Sequence, residues 1–266
     1  MTENKQISMA ASAIALRGVR LFLNAGRAAA DRPQSQAAQP AKPRRKEKKA
    51  VATKPPQKVF EMLLKATRFN KPEIEALYTM YRRLVASAQA AAPATAIGHS
   101  PKIDGIDQST FRDVMHNTFD LVTEEAILER MWMTWERGAV GGEGSLRFDA
   151  WVKGLSVLLR GSSDERITYC FKVYDLNNDG FITKDEMFLL LRNSLLKQPG
   201  DEDPDEGVRE LVELVLKKLD VDKDGTVSME DYKQAVEQEP LLLEAFGQCL
   251  PSKRHCTTFL KTLTTK

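Results

Sequence analysis

Cysteine is scarce in this chain: Cys170, Cys249 and Cys256 are an odd set of three with no zinc-ligand spacing. A disulfide framework is therefore not expected, and a reducing compartment fits better. The three histidines, His99, His116 and His255, lie far apart, with no nucleophile or ligand cluster around them. Nothing in the sequence looks catalytic, so neither an enzyme nor a small-molecule substrate is expected. No apolar run approaches the roughly 20 residues that a membrane helix needs, so no span is expected either.

Charge is plentiful, and the net value of +2 conceals how it is divided. Residues 1–58 carry 13 Lys and Arg against 3 Asp and Glu, a net of +10, whereas residues 59–266 carry 26 against 34, a net of −8. The chain reads as a basic tail on an acidic body. The tail is rich in Ala, Gln, Pro and Lys, holds the cluster Lys42-Pro-Arg-Arg-Lys-Glu-Lys-Lys49 and cannot bury a core, so it is expected to be largely disordered. Such a tail either keeps the chain soluble or contacts an acidic partner, of which a microtubule-like surface fits better than nucleic acid. Arg17, Arg20 and Arg27 also share one face of a helix-compatible segment, as in transit peptides, but its apolar stripe is untidy.

From Val59 onward apolar residues recur at steps of three and four, which predicts an all-α body. Ile74, Leu77, Tyr78, Tyr81, Leu84 and Val85 mark one helix, and an Ala- and Pro-rich stretch over 86–101 is expected to end it. Further helices are predicted over 109–119, 123–135 and 148–159. Gly161-Ser-Ser163 divides the body into a first half, 59–160, and a second, 161–266. In the second half, helices over 163–174 and 184–196 bracket one loop, and helices over 207–219 and 229–237 bracket another. An acidic connector over 199–207 separates these two units.

The first loop, residues 175–186, runs Asp-Leu-Asn-Asn-Asp-Gly-Phe-Ile-Thr-Lys-Asp-Glu. Calcium takes six to eight oxygen ligands, and a twelve-residue EF-hand loop supplies them from positions 1, 3, 5, 7, 9 and 12, with glycine at position 6. Asp175, Asn177 and Asp179 offer side-chain oxygens, Phe181 its backbone carbonyl, Thr183 a contact through water, and Glu186 both carboxylate oxygens. Gly180 fills the sharp turn.

The second loop, residues 220–231, repeats the template with Asp220, Asp222, Asp224, Thr226, Ser228 and Asp231, and Gly225 at the turn. Its last ligand is aspartate, a methylene shorter than glutamate. Two-oxygen contact then requires the loop to contract, which makes magnesium the alternative occupant and calcium binding weaker than in the first loop. Ile182 and Val227 stand at position 8, where paired loops join as a short ribbon. Two calcium sites in one cooperative lobe are expected.

The first half keeps the outline of two more hands without their ligands. Counting back from Ala150 puts Ala139, Gly141 and Glu143 at the first three ligand positions, and only Gly144 and Leu146 keep their template roles. No calcium is expected there. Met131, Trp132, Met133, Trp135 and Trp151 serve either as ordinary core or as a target groove. The fold class that emerges is a calmodulin-like or neuronal-sensor-like arrangement: two lobes of paired EF-hands behind a basic tail.

Beyond the loops, Ser156-Val-Leu-Leu-Arg160-Gly-Ser162, Tyr169-Cys-Phe171, the segment from Ser194 through Gly207, and Leu241-Leu-Leu-Glu-Ala-Phe-Gly-Gln-Cys-Leu-Pro251 resemble the calaxin family of ciliary EF-hand proteins. The likeness runs over about residues 69–251. It implies a calcium sensor in the cytoplasm and cytoskeleton, on the axoneme of a cilium or flagellum, associated with outer-arm dynein and its docking complex and tuning motility. Asp231 matches that family's last hand. The ligand-poor loop around Gly141, the Ala-rich insertion near Ala90 and the long tail are departures that mark a divergent member. Two other classes stand beside it: a sensor or buffer serving as regulatory subunit of a cytosolic enzyme, and a constitutive axonemal component in which metal only steadies the fold.

Overall fold

The computed structural model describes residues 55–91, 105–136, 144–193 and 205–264. The basic cluster at 42–49, the candidate ligands Ala139, Gly141 and Glu143, and residues 199–204 of the acidic connector lie outside that range. Among the described residues there are ten α-helices: α1 (Gln57–Ala66), α2 (Lys71–Ala91), α3 (Gln108–Phe119), α4 (Glu125–Glu136), α5 (Phe148–Arg160), α6 (Ser163–Tyr174), α7 (Lys184–Leu191), α8 (Glu206–Leu219), α9 (Met229–Gln238) and α10 (Lys253–Thr264). A 3₁₀ turn, Pro240–Glu244, follows α9. Helix α2 runs on to Ala91, past the expected break at 86. Ala86, Ala88, Ala90 and Ala91 make up most of that extension, and alanine has the lowest helix cost of any residue.

Local chemistry sets where these helices begin. Asp107 accepts the Thr110 amide at 2.8 Å to start α3. Ser162, Thr183 and Ser228 each form a reciprocal capping box with the acid three residues on, Glu165, Glu186 and Asp231, and so start α6, α7 and α9. Two of those acids close the metal loops, so one side chain both starts the exit helix and faces the loop.

Strands β1 (Phe181–Ile182) and β2 (Val227–Ser228) pair antiparallel, with Ile182 opposite Val227. Ile182 and Val227 are fully buried, so the two loops are fastened back to back through the core. The first half repeats this device. Ile106 and Leu146 exchange backbone hydrogen bonds of 3.0 and 2.7 Å, and Gly144 keeps a left-handed φ of +67°. The segments that lead into α3 and α5 are thus joined as the two loops of the second half are.

Aromatic side chains fill the first half: Phe111 meets Trp132 and Trp135 edge-on at 5.4 and 5.1 Å, and Trp135 meets Trp151 at 5.6 Å. Met131, Trp132, Trp135 and Trp151 are buried, which is the packing reading of these residues. Tyr174, Tyr232 and Phe246 form the corresponding cluster of the second half. Helix α10 belongs by sequence to the expected second half, 161–266, but packs on α2, α3 and α5 of the first, with Phe259 5.1 Å from Phe119. Polar contacts tie the first half together: the Arg160 guanidinium grips Glu73, and Arg68 donates to the Arg160 carbonyl at 2.8 Å.

Candidate metal centre

Each loop lies between two helices, α6 and α7 for the first, α8 and α9 for the second. Their backbones follow one path. Position 4 is left-handed in both, at Asn178 and Lys223, and position 6 has φ of +93° at Gly180 and +92° at Gly225. A Cβ at either glycine would meet nothing within 4 Å, so the requirement for glycine there is conformational and not steric.

That path turns backbone amides inward, and the acidic side chains follow them. Asp175 Oδ2 accepts the Gly180 amide at 3.0 Å, and Asp220 Oδ2 accepts the Gly225 amide at 2.9 Å. Asn177 accepts from Asp179, and Asp179 from Phe181; in the second loop Asp222 accepts from Asp224, and Asp224 from Thr226. Glu186 Oε1 spans the first loop to the amides of Leu176 and Asn177 at 2.9 and 3.1 Å. The Thr183 hydroxyl donates to Glu186 Oε2 and the Ser228 hydroxyl to Asp231 Oδ2. The loop template gives these hydroxyls a role toward the ion; here they orient the closing carboxylate.

The donors fit a hard divalent cation. Asp175, Glu186 and Asp231 are buried, and none of the ion pairs among the described residues involves them. Asp175 Oδ1 is buried with no hydrogen-bond partner. Oxygens of Asp220, Asp222 and Asp224 lie within 4.8 Å of one another. Buried or crowded carboxylates are unfavourable unless a cation compensates them. The second loop shows the strain electrostatically. The Asp224 amide works to lower the Asp222 pKa, but desolvation and the charges of Asp224 and Asp231 outweigh it and leave the carboxyl above its usual value. For Asp231, burial pushes upward, while the Ser228 hydroxyl and the amides of Ser228, Asp222 and Val221 prevail and hold it below the usual carboxylate range.

Bound metal supplies charge neutralisation here. The protein contributes preorganised oxygens, a ribbon that ties the two loops together, and exit helices whose first turns are held by the same carboxylates. Phe181 and Thr226 stand at position 7, where the backbone carbonyl is the available donor.

One residue beside the first loop escapes sequence reasoning. Arg130, buried on α4, donates through Nη2 to the Asp175 carbonyl, to the Lys172 carbonyl at 3.0 Å and to Asn178 Oδ1 at 3.1 Å. Its signal in the sequence is a cation within an apolar stripe, three residues after Ile127 and next to Met131.

A pair of capped hands joined through position 8, with buried acids lining both loops, defines an EF-hand protein. The EF-hand domain pair family matches residues 164–237. The chain is 45% identical to calaxin of Xenopus laevis over 191 residues, 72% of this chain and 86% of that protein. It is 43% identical to human calaxin over 199 residues, 74% and 88% of the two chains. Calcineurin B of Candida glabrata is 27% identical over 183 residues, 68% of this chain and 90% of that one. The chain belongs to the calaxin family, and as an EF-hand member of it binds calcium. No helix among the described residues is long and apolar enough to cross a membrane.

Proposed function

We propose that this protein is a calcium sensor and adaptor of the ciliary or flagellar axoneme, associated with outer-arm dynein and its docking complex and modulating motility. Calcium is held at two sites, by Asp175, Asn177, Asp179, Phe181, Thr183 and Glu186, and by Asp220, Asp222, Asp224, Thr226, Ser228 and Asp231, with magnesium competing at the second. The observation that carries the reading is the set of buried carboxylates outside every ion pair among the described residues, in two paired loops of a calaxin-family chain. The first half, 59–160, supplies a scaffold without metal, and the basic tail, 1–58, adds electrostatic contact with an acidic filament such as a microtubule. Tagged protein in ciliated cells should localise to the axoneme and copurify with dynein-arm components in a manner that changes with calcium chelator. A diffuse cytosolic pattern with no such partners would remove the axonemal role.

The similarity to calcineurin B supports a second reading, a calcium-dependent regulatory subunit of a cytosolic enzyme. Recovery of an enzyme's catalytic subunit in the same purification would favour it.

A further inference from the structure

A helix leaves its last carbonyls without internal partners, and a cation near them is favoured by the helix dipole. In α6, the helix that enters the first metal loop, those carbonyls are met from outside. Lys172 lies in its last turn and Asp175 is both its C-cap and position 1 of the loop. Both carbonyls accept from Arg130 Nη2, which comes from α4 in the other half of the molecule. The same nitrogen donates to Asn178, whose left-handed backbone forms the bend of the loop.

Arg130 also lies within a turn and a half of side chains that fill the first half. Trp132 and Trp135 share α4 with it, and all three tryptophans of the chain, with Trp151, lie in that half. Trp135 lines a cleft of about 380 Å³ together with Tyr169 and Lys172 of α6, so movement of α6 relative to α4 alters the surroundings of its ring. One guanidinium nitrogen thus joins the backbone of the metal loop to the helix that carries two of the reporters. Arginine suits this role because its donors are fixed in one plane and its charge does not titrate.

We propose that Arg130 is a positioning residue that couples calcium occupancy of the first loop to the conformation of the first half. The inference rests on the first loop being a calcium site. Closing oxygens around an ion shifts Asp175 and the end of α6; Arg130, hydrogen-bonded to that end, carries the shift into α4. Linkage makes the effect reciprocal, so a partner that fixes α4 changes calcium affinity at the loop by the same factor.

The test uses the full-length chain and two variants. Arg130→Met and Arg130→Leu each keep an apolar stem in the buried stripe and remove the donors. Helical content by circular dichroism identifies which variants fold, calorimetry measures calcium binding, and tryptophan emission, excited where tyrosine does not absorb, reads the first half. The wild type should bind calcium and change its emission, while a folded variant should still bind but lose more than half of that change. A wild type that binds without an emission change, or folded variants that keep half or more of the change, would overturn the role of Arg130 and leave the metal sites standing. A wild type that binds no calcium would overturn the proposed sites themselves.

Discussion

Glu73 and Arg160 meet in a two-pronged ion pair, Nη2 to Oε1 at 2.6 Å and Nη1 to Oε2 at 2.9 Å, that ties the start of α2 to the end of α5. The hydrogen bonds from Arg160, working against the desolvation that burial imposes, hold the Glu73 carboxyl below its ordinary pKa. A depressed folded-state pKa gives stability that is complete above the unfolded value of about 4.3 and is lost as pH falls through the folded value. Glu73→Gln should lower stability at neutral pH by about 1–3 kcal/mol, less than for a fully buried pair because Arg160 is partly exposed. It should also flatten the acid limb of the stability profile, as measured by urea unfolding at several pH values.

The closing residue of the second loop makes a second prediction. Asp231→Glu restores the reach of Glu186 and should raise calcium affinity at that loop by about tenfold, or about 1.4 kcal/mol, while weakening competition from magnesium. Calorimetry with the first loop disabled by Asp175→Ala isolates the effect. Unchanged affinity would show that side-chain length is not what limits the site.

Helix α10 is anchored by Phe259, buried against Phe119. Phe259→Ala should destabilise the protein by about 3–4 kcal/mol, in the range for removing a buried aromatic ring. Loss of protection over 253–264 in hydrogen exchange, with α9 unaffected, would assign the helix to the first half energetically as well as by contact.

The thiols of Cys170 and Cys249 lie 3.3 Å apart and fully buried. Burial pushes the Cys170 thiol well above its usual pKa, and it raises that of Cys256 as well. Alkylation of the folded protein at neutral pH should therefore be slow at these positions and fast after denaturation, as read by mass spectrometry.

The second half is legible in the sequence because calcium chemistry fixes residue types at fixed intervals: Asp175, Gly180 and Glu186 leave few other interpretations, and the alternation of apolar residues around them places the helices. The first half is legible in outline through Gly144, Leu146 and the spacing of Phe148, Trp151 and Leu155. Its pairing through Ile106 is not, since one backbone bridge imposes little on the sequence. Two features depend on tertiary contact and leave almost no local trace. Helix α10 shows an apolar face at Cys256, Phe259 and Leu263 without naming the helices it meets, and Arg130 shows only a charge where an apolar residue would be expected. The end of α2 is misplaced when Ala-rich sequence is taken as a break, because the intrinsic preference of alanine is helical.

Direct calcium titration of the purified full-length chain by calorimetry tests the central claim. Two binding events should appear, the tighter abolished by Asp175→Ala and the weaker by Asp220→Ala. Absence of any heat of binding up to millimolar calcium, in protein shown to be folded, would contradict it.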